Sequence, residues 1–131
     1  MTIEREAVVV SKHGEPRGIS VTQETLEPAG LALTVTGELD IATAPALRDR
    51  LNAAIDAGTH RLAIDLTAIT FLDSVALATI VHAKQRLPED GRMALAIDPS
   101  SYVMLVFQSG GLDRVLDVVE TRDRAVELVL R

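Results

Sequence analysis

The residues with the most chemistry to offer lie in two short acidic segments, Gly37-Glu38-Leu39-Asp40 and Phe71-Leu72-Asp73-Ser74. Each stands where a strand-like pattern hands over to a helical one. In open sheets with crossover helices, the carboxyl ends of the strands are where ligands and partners tend to bind, so the two segments form one surface if their strands are neighbours. Ser74 adds a hydroxyl expected in the first turn of a helix, where backbone N–H groups have no intrahelical partner and the side chain can face solvent. Phosphorylation there adds about −1.5 to −2 charges and three acceptor oxygens, favoured by the helix N-terminus and repelled by Asp73. A partner packing apolar or acidic surface on this spot would then lose contact, because a dianion without a cation is expensive to bury. The plainer alternative is that Asp40, Asp73 and Ser74 only supply capping oxygens.

Other chemistries lack their parts. His13, His60 and His82 lie in the N-terminal stretch, before a strand and on a helix, with no cysteine and no second histidine at metal-ligand spacing. Asp73, Ser74 and His82 do not make a triad: two are adjacent, and the third lies roughly 12 Å further along a helix rising 1.5 Å per residue. Neither G-x-G-x-x-G nor G-x-x-x-x-G-K-[ST] occurs. The sequence therefore predicts no catalytic residue, no cofactor site and no metal site. The absence of cysteine excludes disulfides and thiolate nucleophiles and fits a reducing compartment. A formal charge of −6 and only three aromatics, Phe71, Tyr102 and Phe107, argue against nucleic acid, which needs cations for phosphates and rings for bases. No apolar run approaches the roughly 18–20 residues of a membrane span, and the first residues lack a signal-peptide core, so no membrane partner and a cytoplasmic location are expected.

Positioning these segments requires a single α/β domain, which 131 residues allow. Residues 1–17 mix charges with Gly14 and Pro16 and are read as a flexible arm, with a short added strand conceivable at Val8–Val10. The domain is expected over residues 18–131. Ile19 and Val21, then Leu31, Leu33 and Val35 after the Pro28-Ala29-Gly30 turn, alternate with polar or small residues and predict a hairpin. Thr43 as N-cap, Pro45 in the first turn and Leu47, Leu51, Ala54 and Ile55 at helical spacing predict a helix stopped by Gly58. A strand over Arg61–Leu66, a helix from Ser74 to about Leu87 capped by Asp73, a strand over Met93–Ile97 and a helix over Pro99–Gln108 follow. A short strand within Val115–Val119 and a final helix over Arg122–Leu130 complete the chain. Strand and helix in alternation imply parallel neighbours, and the leading hairpin makes the sheet mixed.

Thr36-Gly37-Glu38-Leu39-Asp40 with Thr43-Ala44, Asp65-Leu66, Phe71-Leu72-Asp73-Ser74, Asp98-Pro99-Ser100 and Ser109-Gly110-Gly111-Leu112 together resemble the STAS domain family, and more closely its anti-sigma factor antagonists. The resemblance runs from about Leu31 to the C-terminus. It implies a mixed sheet of four to five strands with about four helices. It also implies that the chain binds an anti-sigma factor that is a serine kinase of the histidine-kinase-like ATPase class. The kinase phosphorylates Ser74, the complex dissociates, and a serine phosphatase restores it. By the same resemblance Glu38, Asp40 and Thr43, with Asp73, Ser74, Val75 and Ala76, belong to the partner-binding surface. The chain departs from the family motif at Val75, where Ser or Thr is usual, and at Ala76 and Ala78, where glycines are usual. Val75 lacks a hydroxyl for the kinase or phosphate, and the alanines add methyl groups while favouring helix. A competing expectation keeps the fold without the switch: a non-phosphorylated scaffold or subunit of a larger regulatory or lipid-transport assembly.

Overall fold

A computed structural model describes the backbone of Val8–Ser11 and the whole of residues 18–131. Six strands form one sheet in sequential order: β1 (Val8–Ser11), β2 (Gly18–Leu26), β3 (Gly30–Leu39), β4 (Arg61–Leu72), β5 (Arg92–Ala96) and β6 (Asp117–Val119). The first three run antiparallel to their neighbours, whereas β3 to β6 are parallel, so the sheet is mixed as expected. Five strands belong to the region from Gly18 onward, and β1 adds a sixth at the edge of β2. The rest of the expected arm, with His13, lies outside the described residues.

Four helices follow the parallel strands: α1 (Ala44–Asp56), α2 (Ser74–Arg86), α3 (Tyr102–Ser109) and α4 (Arg122–Leu130). A sequentially ordered parallel sheet with right-handed crossovers must carry its crossover helices on one face. That face holds the larger core, where Leu31, Leu33 and Val35 of β3, Leu62 and Ile64 of β4 and Met93 and Leu95 of β5 meet Leu47, Ile80 and Phe107 of α1, α2 and α3. The opposite face is lined by Ala32, Ala63, Ala94 and Ala96, which let α4 lie close through Ala125 and Val129. Small residues on one side and branched ones on the other thus encode a three-layer unit.

Three elements depart from expectation, each for a local reason. Strand β4 does not end at Leu66 but runs to Leu72, beyond the reach of β5, whose pairing stops at Asp65. Two register shifts against β3, between Thr34 and Thr36 and between Gly37 and Glu38, move the inward set from Leu66 to Ile69 and then Leu72. Such bulges break the period of two that marks a strand in sequence. Helix α3 begins at Tyr102 rather than Pro99, because Asp98 accepts from the Ser100 N–H and hydroxyl and Ser101 is the cap, its Oγ accepting from the Met104 N–H. Thr43 stands at the N-cap of α1 without capping it, and its hydroxyl turns back to donate to the Glu38 carbonyl. The helix over Arg122–Leu130 and the start of α2 at Ser74 agree with expectation.

Candidate partner-binding surface

Parallel pairing of β3 and β4 brings the two acidic segments side by side. Leu39 pairs with Leu72, and the Asp73 N–H donates to the Leu39 carbonyl at 3.1 Å. The extra length of β4 carries Asp73 level with the end of β3; a strand ending at Leu66 would have left it short.

On its other side β3 lies close against β2 at Gly37. Its φ is +104°, and a Cβ there would stand 2.0 Å from the Gly18 carbonyl oxygen of β2. No other residue fits so close to a backbone in this conformation. Beyond it the chain turns on Asp40, whose Oδ1 accepts from the N–H groups of Ala42 and Thr43. The Thr43 hydroxyl, in turn, accepts from the Asp40 N–H while donating to Glu38. This small network is buried, with Asp40 and Thr43 among the core residues. Its polar atoms are paired, as burial demands.

Asp73 then ties the two segments together. Its Oδ1 accepts from the N–H groups of Val75 and Ala76 at 3.0 Å each, capping α2, and its Oδ2 accepts from the Ile41 N–H at 3.0 Å. One carboxylate therefore closes the first turn of α2 and fixes the β3–α1 loop. Ser74 sits on this platform, exposed, at the first position of the helix. Its neighbours at the surface are apolar: Ile41 is 68 % exposed, Val75 40 % and Phe71 39 %.

The expected contact residues thus separate by role. Ser74 and Val75 are exposed, and Glu38 and Asp73 are half-buried. Asp40, Thr43 and Ala76 are buried, and their side chains shape the surface from beneath instead of meeting a partner. Ile41 and Phe71 were not among the contact residues expected from sequence. The signal for Ile41 was an aliphatic residue inside a turn, and for Phe71 an aromatic thrown out of phase by the bulge before it. His82 is exposed on α2, and His60 lies 3.7 Å from Asp90 before β4. Among the described residues no group of three or more His, Cys, Asp or Glu is placed to hold a metal ion, and no helix is long and apolar enough to cross a membrane.

On the α4 side of the same edge an open hollow of about 520 Å³ is lined by Asp65, Thr67, Asp98, Glu120 and the first residues of α4. Arg122 within it is ion-paired with Glu24 of β2. The Ser100 backbone N–H and hydroxyl hold the Asp98 carboxyl below the usual carboxylate range.

Comparison with known proteins agrees with this architecture. The STAS domain family model matches residues 20–125. The anti-sigma-B factor antagonist of Staphylococcus epidermidis is 28% identical over 86 residues, covering 66% of this chain and 80% of that protein. The anti-sigma-F factor antagonist RsfB of Mycobacterium tuberculosis is 26% identical over 103 residues, covering 78% of this chain and 84% of that protein. Among solved structures, an anti-sigma factor antagonist from Mycobacterium paratuberculosis superposes with a TM-score of 0.79 at 27% sequence identity, covering 86% of this chain and 95% of the other.

Proposed function

The chain belongs to the STAS domain family, and from that premise we propose that it is an anti-sigma factor antagonist, a binding protein without catalytic chemistry of its own. It docks through the Asp73-Ser74 edge on an anti-sigma factor that is also a serine kinase, so releasing the sigma factor. Phosphorylation of Ser74 ends the complex, and a serine phosphatase resets it.

The observation that carries this reading is the bridge made by Asp73 beneath an exposed Ser74. Two of the N-terminal N–H groups of α2 that would otherwise help neutralise a phosphate, those of Val75 and Ala76, already bond to Asp73. A phosphate on Ser74 is therefore left facing outward, next to a carboxylate and among Ile41, Phe71 and Val75. A partner resting on that ground must bury a dianion in apolar contact or withdraw. Charge suffices for the switch, with no refolding of the domain.

Two variants test it with the purified chain and the anti-sigma factor kinase of the organism that carries it. Ser74→Asp should weaken the complex, because it places a carboxylate where the phosphate would stand. Ser74→Ala should bind as the wild type does, in a complex that ATP no longer dissolves. If both variants bind and respond to ATP as the wild type does, Ser74 is not the switch.

A further inference from the structure

The surface around Ser74 has a chemical character of its own, and it bears on which partner fits. Ile41, Phe71 and Val75 are three of the exposed large apolar residues among those described, and all stand at the carboxyl end of β3 and β4. They are not loose: Ile41 is held through its N–H by Asp73, Val75 through its own N–H by the same carboxylate, and Phe71 by its place in the β3–β4 ladder. Apolar groups presented on a rigid backbone lose little entropy on docking, which is what interface anchors require.

Carboxylates run along this edge, with Arg122 and Arg124 at its α4 end. Each parallel strand ends in a carboxylate: Glu38 on β3, Asp73 after β4, Asp98 after β5 and Glu120 after β6. At the opposite edge β4 and β5 begin instead with Arg61 and Arg92, whose guanidiniums donate to the carbonyls of Val129 and Leu128 at the end of α4. The Ser74 edge is thus an apolar seat on an acidic margin.

Resting on the function proposed above, we propose that Ile41, Phe71 and Val75 are the residues that select the anti-sigma factor partner. The partner's face is apolar at its centre, where it covers Ser74, and basic at its rim, where it meets the strand-end carboxylates. Position 75 is the specificity point. It takes an aliphatic group on the partner and rejects a hydrogen-bonding one. The same seat explains the switch, since the phosphate falls inside the apolar centre, away from the partner's cations.

Val75→Thr provides the sharpest test because it keeps the shape of the side chain and exchanges a methyl for a hydroxyl. Affinity of the purified chain for the anti-sigma factor kinase is measured by titration calorimetry, alongside Ile41→Ser and a control, Val115→Thr, whose side chain is exposed before β6 at the other edge. Both seat variants should weaken binding about tenfold, the cost of leaving a hydroxyl unpaired against an apolar surface, and the control should not. Thermal midpoints identify any variant that fails to fold; Phe71→Leu, which keeps an apolar group but changes its shape, then takes that variant's place. The wild-type association rate should fall as salt is raised from 0.05 M to 0.5 M, values chosen to straddle the screening range. If the wild type binds and the seat variants bind equally well, or Val75→Thr binds more tightly, the selection role is wrong while the antagonist function stands. If the wild type does not bind the kinase, the antagonist function itself falls, and the selection role with it.

Discussion

At the scale of single residues, Gly37 and Asp98 show how backbone geometry sets up this edge. Gly37 combines a left-handed φ with a contact that leaves no room for a Cβ. Gly37→Ala must shift β2 or β3, and it should cost more than about 2 kcal/mol in urea denaturation, the range expected for a strained non-glycine position plus a backbone clash. Asp98 is exposed, and its carboxyl is held down by the Ser100 N–H, with the Ser100 hydroxyl second. Since the folded value is depressed, the turn is favoured at neutral pH and its advantage is lost as pH falls through the folded value. Carbon-detected NMR titration should place Asp98 below the ordinary value of about 3.9, and Ser100→Ala should move it part of the way back by removing the hydroxyl. An Asp98 midpoint at or above the ordinary value would show that the turn does not form.

At the scale of elements, Asp73 joins a helix to a loop that is 32 residues away in sequence. Asp73→Ala removes three accepted hydrogen bonds at once and should lower stability by about 2 kcal/mol, within the range for loss of a helix cap and a loop bond. Amide exchange at Ile41 should quicken in step. Asp73→Asn keeps an acceptor oxygen and should lose less. If Ile41 exchange is unchanged in Asp73→Ala, the bridge between the two segments is not real.

How far these elements could be read in sequence depended on whether their signals were local. The cap of α2 was legible because Asp73 lies directly before an apolar helical run that ends at Pro88. The final helix was read over its observed span, Arg122–Leu130, and the structure adds its cap, Thr121, whose hydroxyl accepts from the Arg124 N–H. Strand β4 was read as half its length because both bulges fall after Asp65, and a strand whose inward residues are 66, 69 and 72 looks like neither period. Thr43 has the composition of a cap, but its hydroxyl oxygen accepts from the Asp40 N–H while its proton goes to the Glu38 carbonyl. That choice is made by the fold of the turn and not by the residue's own preference.

At the scale of the whole molecule, sequential parallel strands put the starts of α1, α2 and α3 along one edge, and each such strand ends there in a carboxylate. Helix α4 packs on the opposite face against Ala32, Ala63, Ala94 and Ala96. The burial of Asp40, Thr43 and Ala76 was not readable in sequence, because it follows from how β3 and β4 align. The adjacency of the two acidic segments was foreseeable, conditional on those strands being neighbours. What results is an edge on which Ser74 stands exposed above the Asp73 bridge.

The central claim is that a phosphate on Ser74 alone dissolves the complex. It is tested most directly by titrating the anti-sigma factor kinase with the unmodified chain and with chain phosphorylated stoichiometrically at Ser74, each confirmed by intact mass and peptide mapping. Affinity should fall by about a hundredfold on phosphorylation, as expected for a dianion confined in an apolar contact. Equal affinity of the two forms, or failure of the kinase to place any phosphoryl group on Ser74, would contradict it.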